Sequence, residues 1–167
     1  MTERSGVTAV QAPFRERWKR AMVEHYRDLG FTHALTLSWN RSVSLEMATF
    51  NLKLAHGIVD EELLGQRYHN KPRDQRTLAV FVFEGLGPGG HLHAHSLWRI
   101  RKREHLIPFA RLFPGQRGGF WNDIVPSGSY DLDLIDDPDV FVGYALKGQH
   151  PSSEDQEIIW SRDFLRP

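Results

Sequence analysis

The sequence predicts an α+β fold, a central antiparallel β-sheet with helices packed mainly on one face. Three observations carry this expectation. Apolar residues recur at helical spacing over residues 14–29 and 43–64. Apolar and polar residues alternate over short runs at 32–39, 91–101 and 130–135, the period of half-buried strands. The apolar strand 78–84 and the strand 91–101 are joined by Gly85-Leu86-Gly87-Pro88-Gly89-Gly90, which reads as an antiparallel hairpin. A strand, a helix and then a hairpin make a layered sandwich.

In chain order, residues 1–12 are small and polar and are expected to be disordered. Residues 13–167 are expected to form a single domain, a length that suits one core. Phe14, Trp18, Met22 and Leu29 mark a first helix, and Gly30 suits its C-terminal stop. In 32–39, Leu35, Leu37 and Trp39 alternate with Thr36 and Ser38. The helix over 43–64 has an apolar stripe of Val43, Met47, Phe50, Leu54 and Ile58, expected to face the core, with Glu46 at the positive end of its dipole. Gln66–Gln75 is a polar connection. Residues 105–113 form a further helix, Pro114–Ser129 reads as a Gly-rich loop, and 130–135 as a strand. Asp137 and Pro138 then open a short helix over 139–147 that Gly148 closes.

Composition narrows the function classes. The chain has 40% hydrophobic and 25% charged residues, which excludes wholesale disorder. With no cysteine, disulfides and thiolate metal sites are excluded, so ligands must come from His, Asp and Glu. No apolar run approaches the roughly 20 residues that cross a bilayer, and the opening MTERSGVTAVQAPF lacks a signal-peptide core. A soluble, cytoplasmic protein is therefore expected. The 21 basic and 21 acidic residues balance, which argues against a protein held on nucleic acid by global charge. Basic residues still cluster at Arg15, Arg17, Lys19 and Arg20 and again at Arg99, Arg101, Lys102 and Arg103.

The most informative feature is His91-Leu92-His93-Ala94-His95. On a strand, alternation puts His91, His93 and His95 on one face and Leu92, Ala94, Ser96, Trp98 and Ile100 on the other. A single histidine on such a face more often meets only solvent or backbone. Three together point to a metal site, because neutral imidazole is the commonest protein metal ligand. Farther on, Tyr144 and Lys147 lie three apart on the helix over 139–147 and can share a face. Alone, Tyr144 would read as a core-edge aromatic and Lys147 as a helix-end cation. Beside a metal, a cationic lysine would favour the phenolate of a group whose ordinary pKa is roughly 10, suiting attack on a phosphodiester.

In order, an L-T-L-S strand (residues 35–38), a Gly-x-Leu-His-Ala-His-x-Leu strand (90–97) and a Tyr-x-x-Lys helix resemble the three motifs of HUH endonucleases. More narrowly, they resemble the rolling-circle replication initiators of plasmids and single-stranded phages. The resemblance spans residues 32–147. It implies the RRM-like sandwich of that nuclease family and a divalent ion, Mg²⁺ or Mn²⁺. It makes His93 and His95 the motif pair, with His91 or Glu84 as third ligand, and Tyr144 the nucleophile assisted by Lys147. Implied too are nicking of single-stranded DNA at a replication origin, a 5′-phosphotyrosyl link with a free 3′-hydroxyl, and rejoining by the reverse step. Gly148 departs from the aromatic residue common after the lysine, and only one tyrosine is suitably placed. No helicase or primase domain fits beside the nuclease-like core in this length, so the expectation is either that host helicase and polymerase are partners or that the chain is the nuclease part of something longer.

Arg99, Arg101, Lys102 and Arg103 are candidates for phosphate contacts, and Trp98 or Trp121 for base stacking, although alternation gives Trp98 to the core. A cupin-like enzyme also has Gly-rich sequence before His-x-His, but this chain lacks the glutamate that a cupin needs after it, since Leu97 and Trp98 occupy that place. A two-histidine phosphodiesterase needs paired His-x-Ser/Thr motifs, and an amidohydrolase barrel a longer chain. The alternative from another class is a non-catalytic DNA-binding module that keeps the fold and recognises an origin.

Overall fold

A computed structural model describes residues 11–86, 90–137 and 157–164. Helix α1 (Gln11–Asp28) is followed by β1 (His33–Ser38), α2 (Leu45–Leu64), β2 (Leu78–Glu84), β3 (His93–Arg99), α3 (Leu106–Arg111), α4 (Gly119–Ile124), β4 (Ser129–Leu134) and β5 (Ile158–Trp160). Gln11 and Ala12, expected to be disordered, belong to α1. Gly30, at φ +67°, takes the left-handed conformation that ends this helix, as its position suggested. Ser44 caps α2, its hydroxyl accepting from the Met47 amide. The helix expected over 139–147 lies outside the described residues.

The strands form one antiparallel sheet in the order β4-β1-β3-β2-β5. Without β5, the β-α-β-β-α-β succession is that of a split β-α-β sandwich, and β5 extends it at the β2 edge. The α+β class and the central antiparallel sheet are as expected. One sheet face carries the main core, where Leu35, Leu37, Phe81, Phe83, Ala94 and Trp98 pack against α2, α3 and α4. A smaller apolar layer, with Ala34, Val80 and Leu97 under Tyr26, Met22 and Val23 of α1, covers part of the other face. Among the described residues no helix is long and apolar enough to cross a membrane.

Two expectations fail here. The region 114–129 is not wholly a loop: α4 lies inside it, and its Trp121 is fully buried, edge-on to Trp39. Neither Trp121 nor the equally buried Trp98 is exposed for stacking on a base. Three of the five residues of the apolar stripe expected to seat α2 are on the wrong side, while Val43 packs against the core and Ile58 is half-buried. Met47, Phe50 and Leu54 are 48%, 53% and 42% exposed, whereas Ala48, Asn51, Leu52, Ala55, His56, Val59, Asp60 and Leu63 are buried. One residue turns a helix by about 100°, so a register one position later presents a different face. That face includes three polar side chains, each given a partner. Trp39 Nε1 donates to Asn51 Oδ1 at 3.0 Å. Asp60 Oδ1 accepts from Thr77 N at 3.0 Å and Thr77 Oγ1 at 2.7 Å, and Thr77 Oγ1 also lies 3.0 Å from His56 Nε2. Accordingly, Leu52→Ala is expected to cost about 2–5 kcal/mol in denaturant titrations, and Phe50→Ala no more than about 0.5 kcal/mol.

Candidate metal centre

Register brings the candidate ligands together. Glu84, the last residue of β2, pairs with His93, the first of β3, and Val82 pairs with His95. Directly paired residues point to the same face, so Glu84, His93 and His95 share the face opposite the main core. On it, Thr36 and Ser38 of β1 pair with His95 and His93. His93 Nε2 lies 3.3 Å and His95 Nε2 3.6 Å from Glu84 Oε2. One ligand atom from each of these three residues lies within 4.8 Å of the others, close enough to hold a metal ion. Their side chains are 31%, 12% and 26% exposed for His93, His95 and Glu84 respectively, so the cluster is open to solvent.

The second ring nitrogens are also engaged. His93 Nδ1 is 2.9 Å from the His91 carbonyl, which can only accept, so Nδ1 carries the proton and Nε2 of the neutral ring keeps its lone pair. His95 Nδ1 lies 3.0 Å from Thr36 Oγ1; when Nδ1–H donates to it, this Nε2 also faces Glu84 as an acceptor. Three acceptors then converge, an arrangement that a cation relieves. A metal-binding histidine ordinarily anchors its other nitrogen in this way. Two imidazoles and a carboxylate are a donor set that can hold a divalent ion. Thr36→Val is expected to weaken Mn²⁺ binding about 10–100-fold in calorimetric titration while leaving the fold intact.

The expectation that all three imidazoles share a strand face needs correction. His91 precedes β3, is exposed and stands outside the ligand cluster; it contributes its backbone carbonyl instead. Gly85, at φ +79°, lets the hairpin close, because a Cβ there would collide with that carbonyl. Leu92, Ala94, Ser96, Trp98 and Ile100 are buried on the other side, as alternation predicts. Ser96 Oγ donates to the Leu35 carbonyl at 2.6 Å and accepts from Trp98 Nε1 at 2.9 Å, which satisfies the polar member of that row. The sequence reading missed Thr36. Its alternation marked a polar position, but only the β1–β3 register sets it beside His95.

The basic candidates lie at the other end of β3. Arg101 is six residues beyond His95, about 20 Å along an extended chain. Arg99 is half-buried, and its Nη1 donates to the Leu29 carbonyl at 3.4 Å, a cation at the C-terminal end of α1. Burial, and then the neighbouring Arg101, lower its pKa from the ordinary arginine value. Arg101, Lys102 and Arg103 are exposed, and Lys102 pairs with Glu104 at 3.5 Å. Asp131, paired with Thr36, adds an exposed carboxylate to the histidine face. Tyr144 and Lys147 lie outside the described residues. The open five-stranded sheet is not the barrel that a cupin requires. Compared with protein-family models, curated proteins and solved structures, the chain has no match.

Proposed function

We propose that this protein is a divalent-metal-dependent enzyme that nicks and rejoins single-stranded DNA through a tyrosine nucleophile, as in the HUH endonucleases that its motifs resemble. The observation that carries the reading is the convergence of Glu84, His93 and His95 on one open face, with the two histidines oriented through their other nitrogens. In the sequence, Tyr144 falls between β4 and β5.

Tyr144 supplies the phenolic oxygen that bonds to phosphorus, and Lys147 favours its deprotonated form. The phosphorus–O3′ bond breaks; the leaving oxygen takes a proton and becomes a free 3′-hydroxyl, and the 5′-phosphate stays on Tyr144. The same steps reversed rejoin a strand. Glu84, His93 and His95 would hold a divalent ion, which when bound would supply positive charge toward the phosphoryl oxygens. Mg²⁺ and Mn²⁺ are the candidate ions. Replication origins of plasmids or phages are the proposed substrates, with host helicase and polymerase acting on the product.

Incubated with labelled single-stranded origin DNA and Mn²⁺, the wild-type protein is expected to yield a denaturation-resistant adduct and a shortened strand ending in a 3′-hydroxyl. Binding without cleavage under every divalent ion would sink the enzymatic reading and favour an origin-recognition module.

A further inference from the structure

A second cluster of chemistry-bearing residues lies away from the metal centre. The connection between α2 and β2 and the segment that follows β3 enclose a cleft of about 250 Å³, lined by Lys71, Arg76, Arg101, Lys102 and His105 above an apolar floor that includes Ile100. No acidic residue is among those that line it. In a chain of zero net charge, this concentration is local rather than a by-product of composition.

Arg76 is held in place from below. Its Nε donates to the Lys71 carbonyl at 3.1 Å, its Nη2 to the His69 carbonyl, and its guanidinium lies 5.8 Å from the centre of the Tyr68 ring. Those contacts fix the planar fork while leaving Nη1 for another acceptor. Lys71 and Arg76 are half-buried, and among the described residues neither they nor Arg101 has a carboxylate partner. The like charges act on their surroundings: Arg101 contributes to the lowered pKa of Arg99, and Arg76 to that of His56.

We propose that this cleft is a phosphate-binding site, taking a phosphate group carried by a nucleotide or by a polynucleotide backbone. A phosphate offers several oxygens to cations arriving from separate segments, whereas a lone carboxylate would be satisfied by one arginine fork. The volume is below the roughly 300–1,000 Å³ typical of whole-ligand pockets, so the cleft grips one phosphate group and leaves the rest of the ligand in solvent. The site is independent of the proposed nicking chemistry, since Arg101 lies about 20 Å along the chain from His95.

The test uses the full chain in EDTA, so that no metal bridges a probe to Glu84, His93 and His95. Pyrophosphate and ADP are titrated by calorimetry, and a fluorescent 20-mer of oligo(dT) by anisotropy. Wild type is expected to bind pyrophosphate and at least one of the other probes. Arg101→Glu, at an exposed position, is expected to weaken binding at least tenfold with an unchanged thermal midpoint, and Lys71→Ala with Arg101→Ala to do the same. The pair His93→Ala and His95→Ala should bind as wild type does. A loss confined to ADP identifies a nucleotide as the source of the phosphate. A loss confined to oligo(dT), with the salt slope reduced by about 0.7 for each lost contact, identifies a polynucleotide. No binding of any probe, equal affinity of wild type and Arg101→Glu, or loss in the His93/His95 variant instead would overturn the assignment.

Discussion

Tyr144→Phe is expected to abolish the covalent protein–DNA adduct, with a fall on the order of 10³-fold or more in the rate of strand cleavage. The substitution removes the oxygen proposed to bond to phosphorus and keeps the ring, so a purely structural role for Tyr144 would be nearly untouched. On a denaturing gel with labelled origin DNA, the shifted band should vanish. Mn²⁺ affinity should not change, because Glu84, His93 and His95 make the ligand cluster without the phenol. His93→Ala combined with His95→Ala should remove both metal binding and adduct, leaving only the Glu84 carboxylate of the cluster. That contrast separates a lost nucleophile from a lost metal. An adduct from Tyr144→Phe at the wild-type level would overturn the nucleophile assignment.

The second large effect concerns stability. Asp60 is fully buried and accepts both the amide and the hydroxyl of Thr77, which ties α2 to the start of β2. Asp60→Ala strips two buried donors of their acceptor, at about 1–3 kcal/mol each. Urea titration should show a loss of about 2–5 kcal/mol, a large share of the roughly 5–15 kcal/mol that holds a typical domain folded. The same network makes stability pH-dependent. Burial lowers the pKa of His56 from its ordinary value of 6.5, against a smaller opposing pull from Asp60, and burial alone lowers that of His33. For a histidine lowered in the folded state, the unfolded chain binds more protons once the pH falls below about 6.5. Stability is then complete above that value and declines as the pH drops toward the folded-state pKa, by up to about 1.4 kcal/mol per pH unit for each histidine. Melting curves between pH 7.5 and 5 should show this decline, and His56→Gln should remove one proton's share of the slope. A midpoint flat across that range in the wild type would contradict the assignment.

Local pattern made much of this protein legible in its sequence. Strand β2 lies where its apolar run placed it, and β3 buries the row Leu92, Ala94, Ser96, Trp98 and Ile100 because side chains on a strand alternate. The same alternation put His93 and His95 on one face but included His91 with them, and the family resemblance singled out the pair. Glu84 entered as a ligand only through the family resemblance, and the β2–β3 register is what sets it against His93. Helix α2 was legible as a helix but not in its facing. Its most apolar stripe looked like the core side, yet the buried side uses the small Ala48 and Ala55 and the polar Asn51, His56 and Asp60. A polar residue is tolerated inside only when a partner waits there. Trp39 and Thr77, 12 and 17 residues away in sequence from Asn51 and Asp60, are such partners.

The sequence by itself determined the elements, the alternating faces and the chemical nature of the ligands, because these depend on neighbours a few residues apart. Tertiary structure alone decided which side of α2 is buried, that Thr36 orients His95, that the backbone rather than the ring of His91 serves the site, and that Arg76 meets Arg101 across a cleft. Each of these depends on strand register or on the approach of segments distant in sequence, and no local periodicity encodes such a distance.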